Sequence, residues 1–211
     1  MVCKYSGWNR GQEEALLNKL GGQEVAMKLL DCREVTVQFR SDKIAVIEAT
    51  LSVPVWGTIT HRGRRNAESY RAGLSSTGCK ICVWANSALG LFVASSVDEE
   101  VDLGCASVAD LGFKEATQLD VICDRIVTLG YGLCLPEDGP VLREQYLVQP
   151  KDEWVRLAMK PIRGSDGDLN VFSVERVGSG LWIGGGSGSP DILFGLDVRF
   201  VFRLRKRPLV A

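Results

Sequence analysis

The chain has 211 residues, with 25 basic and 26 acidic side chains, one histidine, seven cysteines and 45% hydrophobic residues. This composition excludes a disordered, collagen-like or coiled-coil chain, and the net charge of −1 excludes a polycation that coats nucleic acid. No apolar run approaches the roughly 18 residues that a membrane span needs. An odd number of cysteines without a secretory apolar segment favours reduced thiols, so we expect a cytoplasmic protein with no membrane association.

Residues 1–40 are predicted to form a helical hairpin followed by a strand. Asn9 and Gln12 have the spacing of a capping box, and apolar residues recur at helical intervals over two segments that a Gly-Gly pair separates. The two helices are predicted over Arg10–Leu20 and Gln23–Leu30. Apolar and polar residues then alternate over 35–40, the period of a half-buried strand.

A small α+β module is predicted for residues 41–102. Its strands are expected at 43–51, 80–84 and 91–97, with a helix over 66–74. The acidic segment 98–102 carries four like charges and interrupts the apolar periodicity, so it is the predicted boundary to the next module.

Residues 103–211 are predicted to form a second α+β module with an antiparallel sheet. Helices are expected over 117–129 and 140–146, and strands over 153–160, 169–177 and 197–205. In the last strand Phe200 and Phe202 share one face and Arg199 and Arg203 the other, which predicts apolar and solvent-exposed sides. The glycine-rich run 178–195 is expected to be a hairpin or an irregular loop, because it lacks the residues of a nucleotide-binding loop.

Two resemblances accompany these patterns. The segment Trp8–Ala26 resembles an N-terminal module of small modular bacterial proteins, and the segments Leu133–Glu137, Glu153–Ile162, Ser165–Leu169, Gly180–Ile183 and Arg199–Phe202 resemble a second module of the same set. That family has no established activity, so the resemblance implies module boundaries and no functional residue. The order of helices, short strands, long glycine-rich loop and final aromatic strand is similar to C-type-lectin-like domains, without their calcium-site and disulfide motifs.

An arginine cluster is the first candidate site. Arg62, Arg64 and Arg65 surround a glycine ahead of a predicted helix, and Arg71 follows two turns later. Guanidinium groups at such a turn could hold a phosphate or an RNA backbone, whereas the alternative is a solvated helix entrance. We expect the arginines at 62–65 to be exposed.

Cys79 and Cys82 form a C-x-x-C pair, which favours a structural role over a redox or zinc site because the pair runs into a predicted strand. His61 is the only histidine of the chain, and it is expected to be a solvated loop residue. No nucleophile elbow or cofactor motif accompanies these residues, so no catalytic residue, metal or cofactor is assigned.

The predicted function is therefore that of a binding protein with no catalysis, and its partner is an unknown protein or nucleic acid. Trp182 in the glycine-rich run is the candidate anchor for that partner. A nucleic-acid-binding accessory protein that uses the 61–71 arginines is the first alternative, and a thiol-dependent enzyme at Cys79 and Cys82 is the second. The sequence does not decide the oligomeric state, and a homo-oligomer is one of the alternatives.

Overall fold

The computed structural model describes residues 52–63, 65–164, 166–178 and 180–204, which belong to one compact unit, Ser52–Ala211. This part of the chain has the predicted α+β class. The helical hairpin and strand predicted for 1–40, and the strand predicted for 43–51, lie outside the described residues. The lectin-like arrangement stays a prediction.

The described residues form four helices and ten strands. The helices are α1 (Ala67–Ser76), α2 (Val83–Ala88), α3 (Leu119–Thr128) and α4 (Asp138–Gln145). The strands are β1 (Gly57–His61), β2 (Lys80–Ile81), β3 (Glu99–Ser107), β4 (Thr117–Gln118), β5 (Trp154–Leu157), β6 (Ile162–Arg163), β7 (Leu169–Val177), β8 (Gly180–Ser187), β9 (Leu193–Phe194) and β10 (Arg199–Arg203).

One curled sheet of eight strands organises this unit, in the order β1-β3-β10-β5-β7-β8-β2, with β6 also pairing with β7. The β5–β10 and β2–β8 pairs are parallel, and the other pairs of this sheet are antiparallel. The sheet is therefore mixed, whereas the sequence predicted an antiparallel one. Strands β4 and β9 form a separate antiparallel pair.

The interior strand β10 is buried on both faces over its three middle residues. Phe200 and Phe202 lie on one face, where their rings contact Phe194 and Tyr131 respectively. Val201 lies on the opposite face, and it too is fully buried. The expectation that this second face is open to water is therefore wrong for the middle of β10.

The acidic segment 98–102 does not interrupt the sheet. Residues Glu99–Asp102 form the first half of β3 and pair with β1, while Leu103–Ser107 of the same strand pair with β10. The sheet therefore continues across the predicted module boundary, because alternate residues of this segment, such as Val101, point into the core.

The strands predicted at 80–84 and 91–97 also differ from the structure. The first ends at Ile81, because the Sγ of Cys82 accepts a hydrogen bond from the Ala85 amide and caps helix α2. The second is a loop whose Phe92 ring packs against the rings of Tyr70 and Phe172. None of the described helices is long and apolar enough to cross a membrane.

Candidate functional site

The glycine-rich run is mostly a strand. In β8 the residues Gly180, Trp182, Gly184 and Gly186 share one face, which we call the glycine face of β8. A Cβ atom at any of its three glycines would collide with a neighbouring side chain. Gly184 and Gly186 are therefore required by side chains of neighbouring strands, and Gly180 is required by the Trp182 ring of β8 itself.

Each glycine on this face makes room for a different side chain. The Trp182 ring lies beside Gly180, where its Nε1 would be 2.8 Å from an added Cβ. The carboxylate of Glu175 and the hydroxyl of Ser173 occupy the space at Gly184, and the guanidinium of Arg156 occupies the space at Gly186. Polar side chains of β5 and β7 therefore lie flat across β8.

The register of four strands places four side chains in one lateral row. Trp154 of β5 pairs with Glu175 of β7, Glu175 pairs with Trp182 of β8, and Trp182 pairs with Lys80 of β2. Residues that are directly opposite in neighbouring strands point to the same face. We call Trp154, Glu175, Trp182 and Lys80 the cross-strand row.

The cross-strand row is partly open to solvent. The side chain of Trp154 is 51% exposed and Lys80 is exposed, while Glu175 and Trp182 are partly buried. The Nζ of Lys80 lies 5.1 Å from the centre of the Trp182 ring, within reach of a cation–π interaction. The hydroxyl of Ser173 donates to Oε1 of Glu175 at 2.6 Å and fixes that carboxylate.

Arg156 lies on the same face of the sheet, two residues along β5 from Trp154, where it pairs with Ser173 of β7. Its guanidinium carbon is 5.3 Å from the centre of the Phe194 ring. Burial lowers the pKa of Arg156, and the nearby carboxylate of Glu175 opposes this effect. The face therefore carries one carboxylate between two cationic groups, Lys80 and Arg156, and these three groups sum to a charge of +1.

A second polar cluster lies at the start of helix α4, around the fully buried Asp138. Both carboxylate oxygens of Asp138 accept hydrogen bonds from Arg203, at 2.7 Å from Nε and 2.6 Å from Nη2. Oδ2 also accepts from the Leu135 amide. The Nε2 of His61 lies 2.8 Å from Oδ1.

This cluster corrects the expectation for His61. The histidine is 3% exposed and ends strand β1, so it is not a solvated loop residue. Burial would raise the pKa of Asp138, but the bonds from Arg203 and the His61 contact hold it below its ordinary value. The neighbouring Cys134 thiol is buried, which raises its pKa and leaves it a poor nucleophile. The cluster thus joins β1, α4 and β10 as structural contacts.

The predicted arginine cluster is divided among different contacts. Arg65 is largely buried, its two terminal nitrogens donate to both carboxylate oxygens of Glu144 at 2.6 Å, and it also lies over the Tyr70 ring.

The other arginines of the predicted cluster have different contacts. Arg71 donates to the side chain and carbonyl of Asn86. Arg62 is exposed, 3.7 Å from the carboxylate of Asp98. Arg64 lies outside the described residues. The expectation that 62–65 form an exposed basic loop is therefore wrong for Arg65.

The two cysteines of the C-x-x-C pair face different surroundings. Cys79 is buried, its Sγ accepts from the Thr77 hydroxyl at 3.3 Å, and it lies 3.7 Å from the carbonyl oxygen of Arg143. Cys82 is partly buried at the start of α2. All five cysteines of the described ranges are free thiols. The same ranges contain no group of three or more His, Cys, Asp and Glu side chains that could hold a metal ion.

Comparison with known proteins identifies no relative: no family model, no curated protein and no solved structure matches the chain. Any functional inference therefore depends on the geometry of the chain's own residues. Sequence reasoning singled out Trp182 but missed Trp154, Glu175 and Lys80. Val177 pairs with Gly180 at the β7–β8 turn, and this pairing fixes the register that places Glu175 opposite Trp182. The turn was therefore the one signal in the sequence that could have placed Glu175 beside Trp182.

Proposed function

We propose that the protein acts by binding another molecule, without catalysis, and that the cross-strand row is its binding face. The observation that carries this proposal is the presence of two tryptophans, one of them half exposed, on one sheet face with a carboxylate between them. Tryptophan is concentrated at binding surfaces because its large rigid ring gains much contact area at little entropic cost.

The fixed surroundings of the row support a binding role. Trp182 is held between Gly180 and Lys80, and Glu175 is held by Ser173, so these side chains lose little freedom when a ligand arrives. The alternative functions have less support. Arg65 and Arg71 are already engaged by Glu144 and Asn86, and Cys79 is buried.

Capture from extracts of the source cells tests this proposal. The immobilised full chain, the double variant Trp154→Ala/Trp182→Ala and a control are compared, and the eluates are divided into protein, nucleic acid and carbohydrate. The control is Val121→Ala/Val127→Ala, which removes two exposed apolar side chains of helix α3. We expect a component that the wild type and control retain and the tryptophan variant loses. Equal retention by all three proteins would refute the binding role of the row.

A further inference from the structure

The cross-strand row has the shape of an elongated site that runs across the strands. Neighbouring strands are about 4.8 Å apart, so two steps separate the backbones of Trp154 and Trp182 by roughly 10 Å. The carboxylate of Glu175 lies at the intermediate step, and Lys80 extends the row by one more strand. A ligand that contacts the whole row must therefore offer flat apolar faces at intervals, with polar groups between them.

The charges on this face select among ligand classes. The carboxylate of Glu175 lies between the tryptophans and would repel a phosphate placed at that point of the row. Lys80 and Arg156 flank it on both sides and would repel a cationic peptide or an ammonium ligand. A neutral ligand avoids both penalties.

The hydrogen-bonding capacity narrows the class further. The carboxylate of Glu175 accepts hydrogen bonds and the ammonium of Lys80 donates them, so a matching ligand carries groups that do both. Hydroxyl groups have this property. The face of a tryptophan ring is electron-rich and attracts the weakly positive C–H groups of a flat saturated ring. Sugar rings combine such C–H faces with hydroxyl groups along their edges.

We infer that the cross-strand row binds a neutral oligosaccharide chain, with sugar rings stacked on Trp154 and Trp182 and hydroxyl groups bonded to Glu175 and Lys80. This inference rests on the proposed function, since it assigns a ligand class to the same face. It requires no metal ion, because the recognition comes from the two rings and the two charged side chains.

Titration of the full chain with three neutral hexasaccharides, cellohexaose, chitohexaose and maltohexaose, tests the inference by tryptophan fluorescence and calorimetry. At least one of them is expected to bind, with an affinity that changes little between about 50 mM and 200 mM salt, because no phosphate contact contributes. Trp154→Ala and Trp182→Ala should each weaken binding by about tenfold or more. Val121→Ala/Val127→Ala should bind as the wild type does.

Two further variants keep the test independent of folding. Lys80 is exposed, so Lys80→Ala should keep the wild-type melting temperature while it weakens binding, and Glu175→Gln preserves the size of the side chain and should weaken binding as well. Absence of binding to all three sugars would overturn the inference. Salt-sensitive binding of a single-stranded oligothymidylate in their place would overturn it as well. If the extract experiment still shows capture that depends on the tryptophans, the proposed function stands and the ligand class alone is wrong.

Discussion

Gln145 binds the outer edge of β1 much as a neighbouring strand would. The amide of Thr60 donates to Gln145 Oε1 at 3.0 Å, and Gln145 Nε2 donates to the Thr60 carbonyl at 2.8 Å. Among the residues that the structure describes, β1 is the last strand at this end of the sheet, so these backbone groups have no strand partner there. An uncovered edge is a template for association with another chain. The last residue of helix α4 therefore protects the sheet edge.

Gln145→Ala should expose this edge. We expect a loss of about 0.5–1.5 kcal/mol of stability for each hydrogen bond removed and stronger self-association at high concentration. Sedimentation velocity over a concentration series measures the association. Gln145→Glu keeps the acceptor and loses the donor, so it should show an intermediate effect. Identical sedimentation of all three proteins would show that the Gln145 contact does not protect the edge.

Asp138→Asn should destabilise the fold by about 3–5 kcal/mol, because it removes the charge of a fully buried carboxylate that is paired with Arg203. Chemical denaturation measures the loss. Asp120→Asn is the matched control, since Asp120 is exposed in α3, and it should change stability by no more than about 0.5 kcal/mol. A similar small change for both variants would contradict the structural role of Asp138.

The same carboxylate predicts how stability depends on pH. The pKa of Asp138 is lower in the folded protein than the ordinary value of 3.8, so the unfolded chain takes up a proton first as the pH falls. Its stabilising contribution is therefore complete above the ordinary value and is lost as the pH falls through the lower, folded value. Asp138→Asn should lack this part of the acid sensitivity in unfolding curves measured over that range. An unchanged acid profile would contradict the charged state of Asp138.

Arg65→Ala should lower the free energy of unfolding by about 1.5–3 kcal/mol, the range for hydrogen bonds to charged groups, because it leaves the largely buried Glu144 without its partner. Arg62→Ala should change it by no more than about 0.5 kcal/mol, since its contact with Asp98 is solvent exposed. Urea denaturation of both variants provides the comparison. Equal costs would mean that the burial of the Arg65–Glu144 pair contributes nothing.

Gly185→Ala should cost about 1–3 kcal/mol, because the new methyl group would collide with the rigid Trp84 ring. Gly57→Ala serves as the control within the same sheet, since no atom of the described part of the chain lies within 4 Å of the position of its added Cβ. This second variant should be neutral or slightly stabilising. Thermal unfolding measures the loss of stability in each variant. A larger loss for Gly57→Ala than for Gly185→Ala would contradict the predicted collision with Trp84.

The thiols of Cys105, which is partly buried, and of Cys123 and Cys134, which are buried, should react slowly with alkylating reagents at pH 8. Burial raises the pKa of Cys105 to about 11 and of Cys123 to about 12, and it raises that of Cys134 as well, so few thiolates form. Mass spectrometry after brief labelling should find these three residues unmodified in the native state and modified in denaturant. Rapid native labelling of Cys134 would be inconsistent with its burial.

Elements with a strong local pattern were predicted closely. Strand β7 has the predicted bounds, 169–177, because its apolar residues and flanking turns are visible in the sequence. Helix α1 begins after Asn66, whose side chain accepts from the Ser69 amide in a capping box. The interactions that specify these two elements lie within a few residues of each other.

Other features depend on residues far apart in the chain, and the sequence did not predict them. Arg65 looked solvated because its partner Glu144 lies far along the chain, in helix α4. His61 looked solvated for the same reason, since Asp138 also lies in α4. The cross-strand row requires the register of four strands, including a parallel pair with β2. Local alternation cannot supply that register, so Trp154 and Lys80 could not be placed beside Trp182.

The glycine face of β8 also constrains which sequences can adopt this fold. Since the Arg156 side chain occupies the space above Gly186, a larger residue at 186 becomes acceptable when residue 156 is made small. The two positions are therefore coupled, and a library selected for folding should enrich paired changes at 156 and 186 over either single change. The same holds for Gly185 and Trp84 on the opposite face. The glycines of β8 are thus required by side chains that pack against them in the folded protein.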